Sequence, residues 1–352
     1  MSKGQIYSSE MQRFRDTQTQ AEITQITNHP STNHSLYFVN PSCTPDNKDY
    51  IFVSNRSGLF NLYVANAGTG QIKQLTDIAN LNTFSATPAL TTREVYFTAG
   101  EEVRAVNVDT CLERTLAVCE GAVGNLHLSG DGQLLVTGVS RRPTQRTLVI
   151  VPTDGSGAIS VYTPPRAVGH IQLCPVDNDL ILYSSDIQQR MWLLNRKTLT
   201  ERPLFLHDAS VWITHESWFG QTDEVIFTHW PYALKRIQKD VDEAATVADF
   251  NVWHASSRRD GSRIVCDTTC PDRGLQLIEP QSGDHYPLCY PKSSNGGTRW
   301  AYNTPEAGEV TEATYGPQSS HPHSCFTHDG TKVVYTSDCT GHSQVYVVTV
   351  TE

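Results

Sequence analysis

The sequence lacks any long uninterrupted apolar run. No stretch is long enough to cross a membrane, and the N-terminus has no apolar core of a signal peptide. Basic residues are also scarce, because 27 Lys and Arg stand against 37 Asp and Glu, for a formal net charge of −10. Nucleic acids and anionic membranes require clustered Lys and Arg, so the composition argues against both as partners. We expect a soluble, unexported protein.

Cysteine-pairing signals are missing as well. The nine cysteines form neither a CxxC pair nor the regular spacing of a secreted disulfide framework. Cys266 and Cys270 are four positions apart and could approach each other, but buried reduced thiols fit the pattern better. The odd count and the irregular spacing therefore predict a cytoplasmic location.

Long helical periodicity is absent, and a repeated strand pattern takes its place. The chain has 23 Gly and 18 Pro, which together with frequent Thr, Val, Tyr and Asn favour many short strands joined by turns. A unit of strand, polar turn and β-branched or aromatic strand recurs seven times. The seven turn-to-strand junctions begin at Asp49, Glu94, Gln133, Asp179, Glu224, Ser262 and Thr331.

The spacing of these junctions predicts the fold. Most lie about 38 to 46 residues apart, close to the ~40–45 residues of a four-stranded propeller blade. The last interval is longer because it carries an insertion at about 291–317, rich in Gly, Pro, Asn, Ser and Thr. We therefore predict an all-β, seven-bladed β-propeller over residues 21–352, preceded by a polar arm without a strand pattern at 1–20. A β-sandwich or a solenoid is the alternative.

The N-terminal stretch Glu22-Ile-Thr-Gln-Ile-Thr27 has a predicted role in this fold. It has the pattern of a strand and echoes Gln71-Ile-Lys-Gln-Leu-Thr76 at the end of the first repeat. The seventh unit runs out of chain after two strands beyond its first turn. We expect the N-terminal strand to complete the last blade, because closing the ring removes an open sheet edge.

Equivalent positions in the blades of a propeller form a ring around the central channel. Six residues before the first position of each turn, every unit has a polar residue, and the last four are histidines. These positions are Asn40, Ser85, Asn125, His170, His215, His254 and His323. Taken singly, each histidine could instead satisfy backbone groups at a strand start.

The stretch from Gln318 to His323 strengthens the prediction of a site at one mouth of the channel. Three imidazoles and an amide suit a divalent ion such as Mn²⁺, Fe²⁺, Ni²⁺ or Zn²⁺, and leave coordination positions for a substrate. Six further histidines do not share the ring register and are interpreted as surface or core residues. They are His127, His207, His229, His285, His328 and His342.

Five motifs follow one another along the chain. They are Gly169-His170-Ile-Gln172-Leu-Cys-Pro175, Asp186-Ile-Gln-Gln-Arg190-Met-Trp192, His215-Glu216-Ser-Trp218, Asn251-Val-Trp-His254 and Gln318-x-x-His321-x-His323. This ordered set resembles the oligogalacturonate lyases, and the resemblance covers nearly the whole chain. It implies a seven-bladed propeller and a Mn²⁺-dependent β-elimination on uronate-containing oligosaccharides inside the cell.

The resemblance also implies roles for individual residues. The implied metal ligands are His254, Gln318, His321 and His323, the implied base is His215, and Arg190 is implied to bind the uronate carboxylate. His170 is expected to contact substrate, and the ring positions Asn40 and Asn125 are further predicted substrate contacts. The chemistry agrees, because a neutral histidine can take the weakly acidic C5 proton while a metal and an arginine stabilise the charge on the adjacent carboxylate.

One segment departs from the family pattern, and other functions stay open. Residues Ser184 to Gln189 stand where the family has a His-Glu-Gly-Pro-Trp-His segment, so a different linkage, such as a glucuronate capped by another sugar, is possible. TolB-like repeats at 60–63 and 70–76 suggest a non-catalytic propeller that binds proteins or glycans. A metal-dependent hydrolase or isomerase ranks lower, because no acidic residue occupies the ring register. The oligomeric state is not predicted.

Overall fold

The structure is a computed structural model that describes residues 3–142, 145–297 and 318–351. These residues form seven antiparallel sheets, which are the seven blades of a β-propeller. The predicted fold class is therefore confirmed. No helix of the described residues is long and apolar enough to cross a membrane. All nine cysteines are free thiols, and seven of them are buried, whereas Cys339 and Cys270 are exposed; the prediction of a buried thiol is wrong for Cys270.

The chain fills the blades in sequence order. Three strands precede the first blade: β1 (Ile6–Tyr7), β2 (Gln12–Arg15) and β3 (Glu22–Gln25). Blade 1 contains β4 (Asn33–His34), β5 (Asp49–Ser54), β6 (Asn61–Asn66) and β7 (Ile72–Gln74). Blade 2 contains β8 (Thr87–Pro88), β9 (Glu94–Ala99), β10 (Glu102–Asn107) and β11 (Glu113–Val118). Blade 3 contains β12 (Ala122–Val123), β13 (His127–Leu128), β14 (Leu134–Arg142), β15 (Gln145–Pro152) and β16 (Ile159–Tyr162).

The second half of the chain forms the remaining four blades. Blade 4 contains β17 (Gly169–Cys174), β18 (Asp177–Ser184), β19 (Met191–Asn195) and β20 (Thr200–Pro203). Blade 5 contains β21 (Trp212–Trp218), β22 (Glu224–Trp230), β23 (Ala233–Gln238) and β24 (Ala245–Ala248). Blade 6 contains β25 (Val252–Ser257), β26 (Ile264–Thr268), β27 (Leu275–Ile278) and β28 (His285–Cys289). Blade 7 contains β29 (Cys325–Phe326), β30 (Lys332–Ser337) and β31 (Gln344–Thr349), and β3 and β2 complete it.

The N-terminal strand closes the ring as predicted. β3 pairs antiparallel with β31, so that Ile23 lies opposite Val348 and Gln25 opposite Tyr346. Just beyond β3, Ile26 is fully buried in an apolar cluster that joins blade 7 to blade 1. The first and last parts of the chain are therefore held together by both backbone hydrogen bonds and apolar packing.

The polar arm at 1–20 differs from the prediction, because it contains two strands. β1 adds to the outer edge of blade 1 by pairing with β7, and β2 pairs with β3 at the outer edge of blade 7. All four residues of β2 are exposed. An edge strand of this kind is held by backbone hydrogen bonds and needs no alternation of apolar and polar residues, so the sequence pattern did not reveal it.

The turns from which the ring register was counted share one hydrogen-bond arrangement in three blades. A Ser or Thr hydroxyl donates to the carboxylate two residues later at 2.7 Å, and the same carboxylate accepts a backbone N–H two residues further on. The pairs are Thr44 with Asp46, Ser129 with Asp131, and Thr327 with Asp329. In these three blades the common turn explains why counting back six residues reaches equivalent positions, which are Asn40, Asn125 and His323.

The predicted insertion at about 291–317 lies mostly outside the described residues. Its described beginning is attached to blade 7, because the Ser294 N–H donates to the Asp338 carboxylate at 2.7 Å. The Asn295 N–H donates to the Ser320 carbonyl at 3.1 Å. The described beginning of the insertion therefore lies against Ser320, next to His321.

Candidate active site

Four histidines from four consecutive blades form an arc at the centre of the propeller. His170, His215 and His254 lie on β17, β21 and β25, and His323 lies two residues before β29. Ring centroids of neighbours are 6.1 Å apart for His170 and His215, 4.1 Å for His215 and His254, and 4.3 Å for His254 and His323. The side chains placed together by the sequence register do converge.

Local backbone distortion helps these side chains to point inward. The strand pairing shifts register at the histidines of β17, β21 and β25, as a β-bulge requires. His170, His215 and His323 have φ values of 42°, 51° and 48°, in the left-handed region that non-glycine residues rarely adopt. Such conformations cluster at functional sites, where surrounding structure holds them in place.

The buried carboxylate of Asp267 organises the blade 6 and blade 7 histidines. It lies 2.9 Å from His254 Nδ1, and it accepts the backbone N–H groups of His254 at 2.7 Å and His323 at 3.1 Å. Because a carboxylate accepts a hydrogen bond, His254 carries its proton on Nδ1 and presents an unprotonated Nε2. This carboxylate–imidazole pair is the usual support of a metal-binding histidine.

The pKa directions agree with an arc of neutral imidazoles. Burial lowers the pKa of His254 and His323 well below the usual range, and the positive charge that neighbouring histidines would carry lowers both further. Burial also lowers the pKa of His321, against the opposing effect of Asp267. Neutral imidazoles are the protonation state that metal ligation requires.

The donor types fit a borderline divalent metal. No three His, Cys, Asp or Glu side chains of the described ranges are already gathered as a metal-binding group. Metal–nitrogen bonds of about 2.1 Å place ligand ring centroids roughly 5 Å apart. The separations among His254, His321 and His323 are 4.3, 5.6 and 6.2 Å. His321 Nδ1 is buried with no hydrogen-bond partner among the described residues, which a bound ion would satisfy.

Gln318, the fourth predicted metal ligand, is anchored elsewhere by both ends of its amide. Its Oε1 accepts the Ser343 N–H at 2.5 Å, and its Nε2 donates to the Pro30 carbonyl at 3.3 Å. An amide oxygen has a second lone pair, so the bond to Ser343 does not remove its capacity to bind metal. The role of Gln318 as a ligand stays a prediction.

His215, the predicted base, has one free ring nitrogen. Its Nδ1 lies 2.8 Å from the Trp253 carbonyl, which can only accept, so Nδ1 carries the proton and Nε2 is unprotonated. Burial, together with His254 and His170, lowers the pKa of His215 well below its usual range. The ring is therefore neutral at physiological pH and able to accept a proton.

Glu216 connects Arg190 to the histidine arc. It is fully buried, with Arg190 Nε 3.2 Å from one carboxylate oxygen and His170 Nδ1 3.3 Å from the other. Burial alone would raise the pKa of this carboxyl, but Arg190 and His170 outweigh it, and the pKa is lowered. Glu216 is thus a buried anion that fixes the Arg190 guanidinium beside the site.

The remaining predicted substrate contacts differ in position. His170 is partly exposed, and its Nε2 lies 3.1 Å from the Tyr37 hydroxyl. Asn125 is exposed and accepts a hydrogen bond from Asn82. Asn40 is buried, and its amide donates to the carbonyls of Ala86 and Leu126, which favours a structural role between blades. Substrate contact by these three residues stays a prediction.

Sequence reasoning missed several residues of the site. Phe38 is fully buried beneath the arc, 5.0 Å from His254 between ring centroids. His207, interpreted as a surface or core residue, accepts the Arg190 backbone N–H on Nε2 at 3.2 Å. Asp267 lies opposite the bulge that contains His254, a position that only the strand register of blade 6 reveals. Phe38 and His207 leave no comparable signal, since their positions depend on how the blades pack.

The segment that departs from the family pattern forms a tight turn before Arg190. The Ser185 N–H donates to the Arg190 carbonyl at 2.7 Å, and the Gln189 side chain donates to the Phe205 carbonyl at 2.7 Å. Asp186, Ile187 and Gln188 at the tip are exposed. This turn therefore brings no aromatic side chain to the site and leaves one carboxylate at its tip.

Comparisons with known proteins extend the resemblance to the full length. No family model matches the chain. An oligogalacturonate lyase from Dickeya dadantii is 22% identical over 99% of this chain and 98% of that protein, and an oligogalacturonide lyase from Pectobacterium atrosepticum is 21% identical over the same shares. A solved oligogalacturonate lyase in complex with manganese superposes with a TM-score of 0.84 at 21% identity, covering 100% of this chain and 99% of that one. The chain therefore shares their seven-bladed fold.

Proposed function

We propose that this protein is a carbon–oxygen lyase that cleaves oligogalacturonides or related uronate oligosaccharides by β-elimination. The observation that carries the proposal is the hydrogen bond between His215 Nδ1 and the Trp253 carbonyl, which leaves Nε2 to accept a proton in an arc that His170 joins to the Arg190–Glu216 pair. The full-length similarity to oligogalacturonate lyases supports the choice of reaction. The expected cytoplasmic location stays a prediction.

His215 is the base in this proposal. β-Elimination removes the proton from C5 of a uronate, the C–H electron pair becomes the C4=C5 double bond, and the bond from C4 to the glycosidic oxygen breaks. The leaving oxygen takes up a proton from solvent. The hydrogen bond from Nδ1 to the Trp253 carbonyl fixes the tautomer and the ring orientation, so that Nε2 accepts the C5 proton.

Arg190 binds the carboxylate of the uronate. The Glu216 carboxylate accepts hydrogen bonds from Arg190 Nε at 3.2 Å and from Arg190 Nη2 at 3.5 Å. Among the described residues, no acceptor is bonded to Arg190 Nη1. The guanidinium is held in place by the buried anion and still has donors for a second carboxylate. Negative charge grows on the uronate carboxylate as the C5 proton leaves, and a fixed cation stabilises that charge.

His254, His321 and His323, with Gln318, are the residues that would hold Mn²⁺ or another divalent metal. When bound, the ion supplies Lewis acidity that neutralises charge on the uronate carboxylate. The chain itself supplies the orientation, because the Asp267 carboxylate binds both the His254 ring at Nδ1 and the backbone N–H of His323. Asp267 thereby keeps the Nε2 atom of His254 unprotonated, as binding to a metal ion requires.

The experiment follows the ultraviolet absorbance of unsaturated uronate products. Wild-type protein is mixed with oligogalacturonides and with glucuronate-type oligosaccharides, with Mn²⁺ or with a chelator. We expect metal-dependent product from at least one substrate, and His215→Ala should lower kcat by roughly 10²–10⁴-fold. The matched control is the exposed His285 on the outer strand of blade 6, whose replacement by Ala should leave the rate unchanged.

Metal content provides an independent readout. Elemental analysis should find about one equivalent of metal in the wild type and much less in His321→Ala. The absence of unsaturated product from every substrate, with no bound metal, would refute the proposal and favour a non-catalytic binding propeller. The substrate that reacts fastest identifies the uronate that the turn at 184–189 accommodates.

A further inference from the structure

Three tryptophans border the histidine arc on its blade 5 and blade 6 side. Trp212 begins β21, Trp230 lies opposite it at the end of β22, and Trp253 lies on β25 next to His254. The Trp253 ring centroid is 4.8 Å from that of Trp230 and 6.1 Å from that of Trp212. We call these three residues the tryptophan wall. Half of the six tryptophans of the chain are therefore gathered at one place.

The tryptophan wall is continuous with the candidate site. The Trp253 ring centroid lies 4.5 Å from that of His215 and 6.0 Å from that of His321. The Trp253 backbone carbonyl also holds His215 Nδ1. An oligosaccharide with one unit at His215 therefore has its next unit within reach of the wall.

The exposure of the wall is unlike that of a packed core. Trp212 is 46% exposed, and Trp230 and Trp253 are half-buried. Tyr232, in the turn that follows β22, adds another aromatic side chain that is 66% exposed. The indole N–H of Trp253 is buried with no acceptor in the described part of the chain. A large exposed aromatic surface next to a polar cluster is typical of a ligand-binding surface.

We propose that the tryptophan wall is a subsite for the sugar that neighbours the reacting uronate. The apolar C–H face of a pyranose stacks on the Trp212 indole, which buries aromatic surface otherwise in contact with water. The wall carries no charge, so it recognises the sugar ring and not a carboxylate. This inference rests on the proposed function and deepens it, because it assigns the recognition of the neighbouring sugar ring to named residues and allows that sugar to be neutral.

Binding without turnover tests the subsite. Calorimetric titrations in chelator compare galacturonate, digalacturonate and trigalacturonate on the wild type and on Trp212→Ala, and initial rates with Mn²⁺ give KM for the oligomers. We expect Trp212→Ala to weaken binding and raise KM for the two oligomers by about tenfold and to leave galacturonate binding unchanged. Trp212→Phe should recover part of the loss. Tyr286→Ala removes an aromatic that is 41% exposed on β28, and it is the matched control with no expected effect.

The outcomes separate this inference from the proposed function. Equal losses for monomer and oligomers, or wild-type affinity for all three, would overturn the subsite even if the protein eliminates uronates. Conversely, a wild type that yields no unsaturated product refutes the lyase proposal, while the titrations still decide whether the wall binds a sugar. Circular dichroism and thermal unfolding of both Trp212 variants establish that a loss does not arise from misfolding.

Discussion

At the scale of single residues, Glu216 links the two halves of the candidate site. It is a buried anion in contact with Arg190 and His170, and it directly follows His215 in the sequence. A buried ion pair contributes little net stability, because the cost of removing both charges from water offsets their attraction, and apolar residues in its place are often as stable or more so. The pair is therefore better explained by positioning Arg190 than by stability.

Replacement of Glu216 by Gln tests this positioning role. The variant keeps the shape of the side chain but removes the charge that fixes Arg190, and we expect kcat/KM to fall roughly 10–100-fold, the range typical of residues that orient a site. Steady-state kinetics with the unsaturated-product assay measures the effect. The matched control is Glu201→Gln, which disrupts a similar pair with Arg166 at 2.8 Å near the outer edge of blade 4.

The comparison of the two variants is decisive. Both should lose some stability, but only Glu216→Gln should lose activity in excess of any change in the folded fraction. An unchanged kcat/KM in Glu216→Gln, with a lower melting temperature, would reduce Glu216 to a structural residue. Mn²⁺ content measured on both variants excludes an indirect effect through the metal ligands.

The histidine arc was predictable from sequence because the residues occupy one repeated position. The turns at Asp46, Asp131 and Asp329 share the same hydrogen bonds, and the count that reaches His323 from Asp329 also reaches the histidines of blades 4 to 6. The residues that orient the arc were less predictable. Asp267 is revealed only by the strand register of blade 6, and Phe38 reaches the arc from a different blade through tertiary packing.

At the scale of elements, we expect β3, the strand that closes the ring, to detach more easily than the other strands of its blade. β3 is separated in sequence from its partner β31 by nearly the whole chain, so its pairing must repay a large loop-closure entropy. Ile26, just beyond β3, contributes apolar packing with Tyr63 and Val347. The sequence predicted this strand from its echo of the first repeat, but the added edge strands β1 and β2 have no such signal.

Replacement of Ile26 by Ala tests the closure. Ile26 is fully buried, and loss of its side chain in a packed core should lower the free energy of unfolding by about 2–5 kcal/mol. Ile6→Ala on β1 is the matched control, since Ile6 is 46% exposed and should change stability by less than about 1 kcal/mol. Urea unfolding midpoints followed by fluorescence provide the comparison. Equal midpoints for the two variants would contradict the role of Ile26 in closing the ring.

At the scale of the whole molecule, the spacing of the repeats predicts the seven-bladed architecture. The site, in contrast, is formed by side chains from different blades that meet only in the closed ring. Blade-length periodicity survives insertions in individual loops, because each sheet packs against its neighbours through its own apolar residues. The site depends on non-local approach, since His170 and His323 are far apart in sequence but share one centre. Because these imidazoles are buried, their protonation affects the stability of the entire fold.

Stability should decrease with acid below about pH 6.5, because several buried imidazoles are neutral in the folded state. Burial lowers the pKa of His34 from 6.5 to about 4, and His215, His254 and His323 shift in the same direction. Between pH 6.5 and about 4 the unfolded chain binds a proton at His34 that the folded chain does not, so each unit fall in pH costs about 1.4 kcal/mol for one such group. Above pH 6.5 both states are neutral at this residue and its contribution is constant.

Unfolding midpoints measured from pH 4 to pH 8 should therefore fall on the acid side, and His34→Gln should make that slope shallower. The slope is the informative quantity, because Gln can also change stability at every pH by altering packing against Phe60 and Phe84. The matched control is His285→Gln at the exposed end of blade 6, which should keep the wild-type slope. If His34→Gln retains the full wild-type slope, the acid sensitivity does not come from a buried neutral His34. His127, whose pKa burial also lowers to about 4, and the histidine arc are then the sources to test by the same measurement.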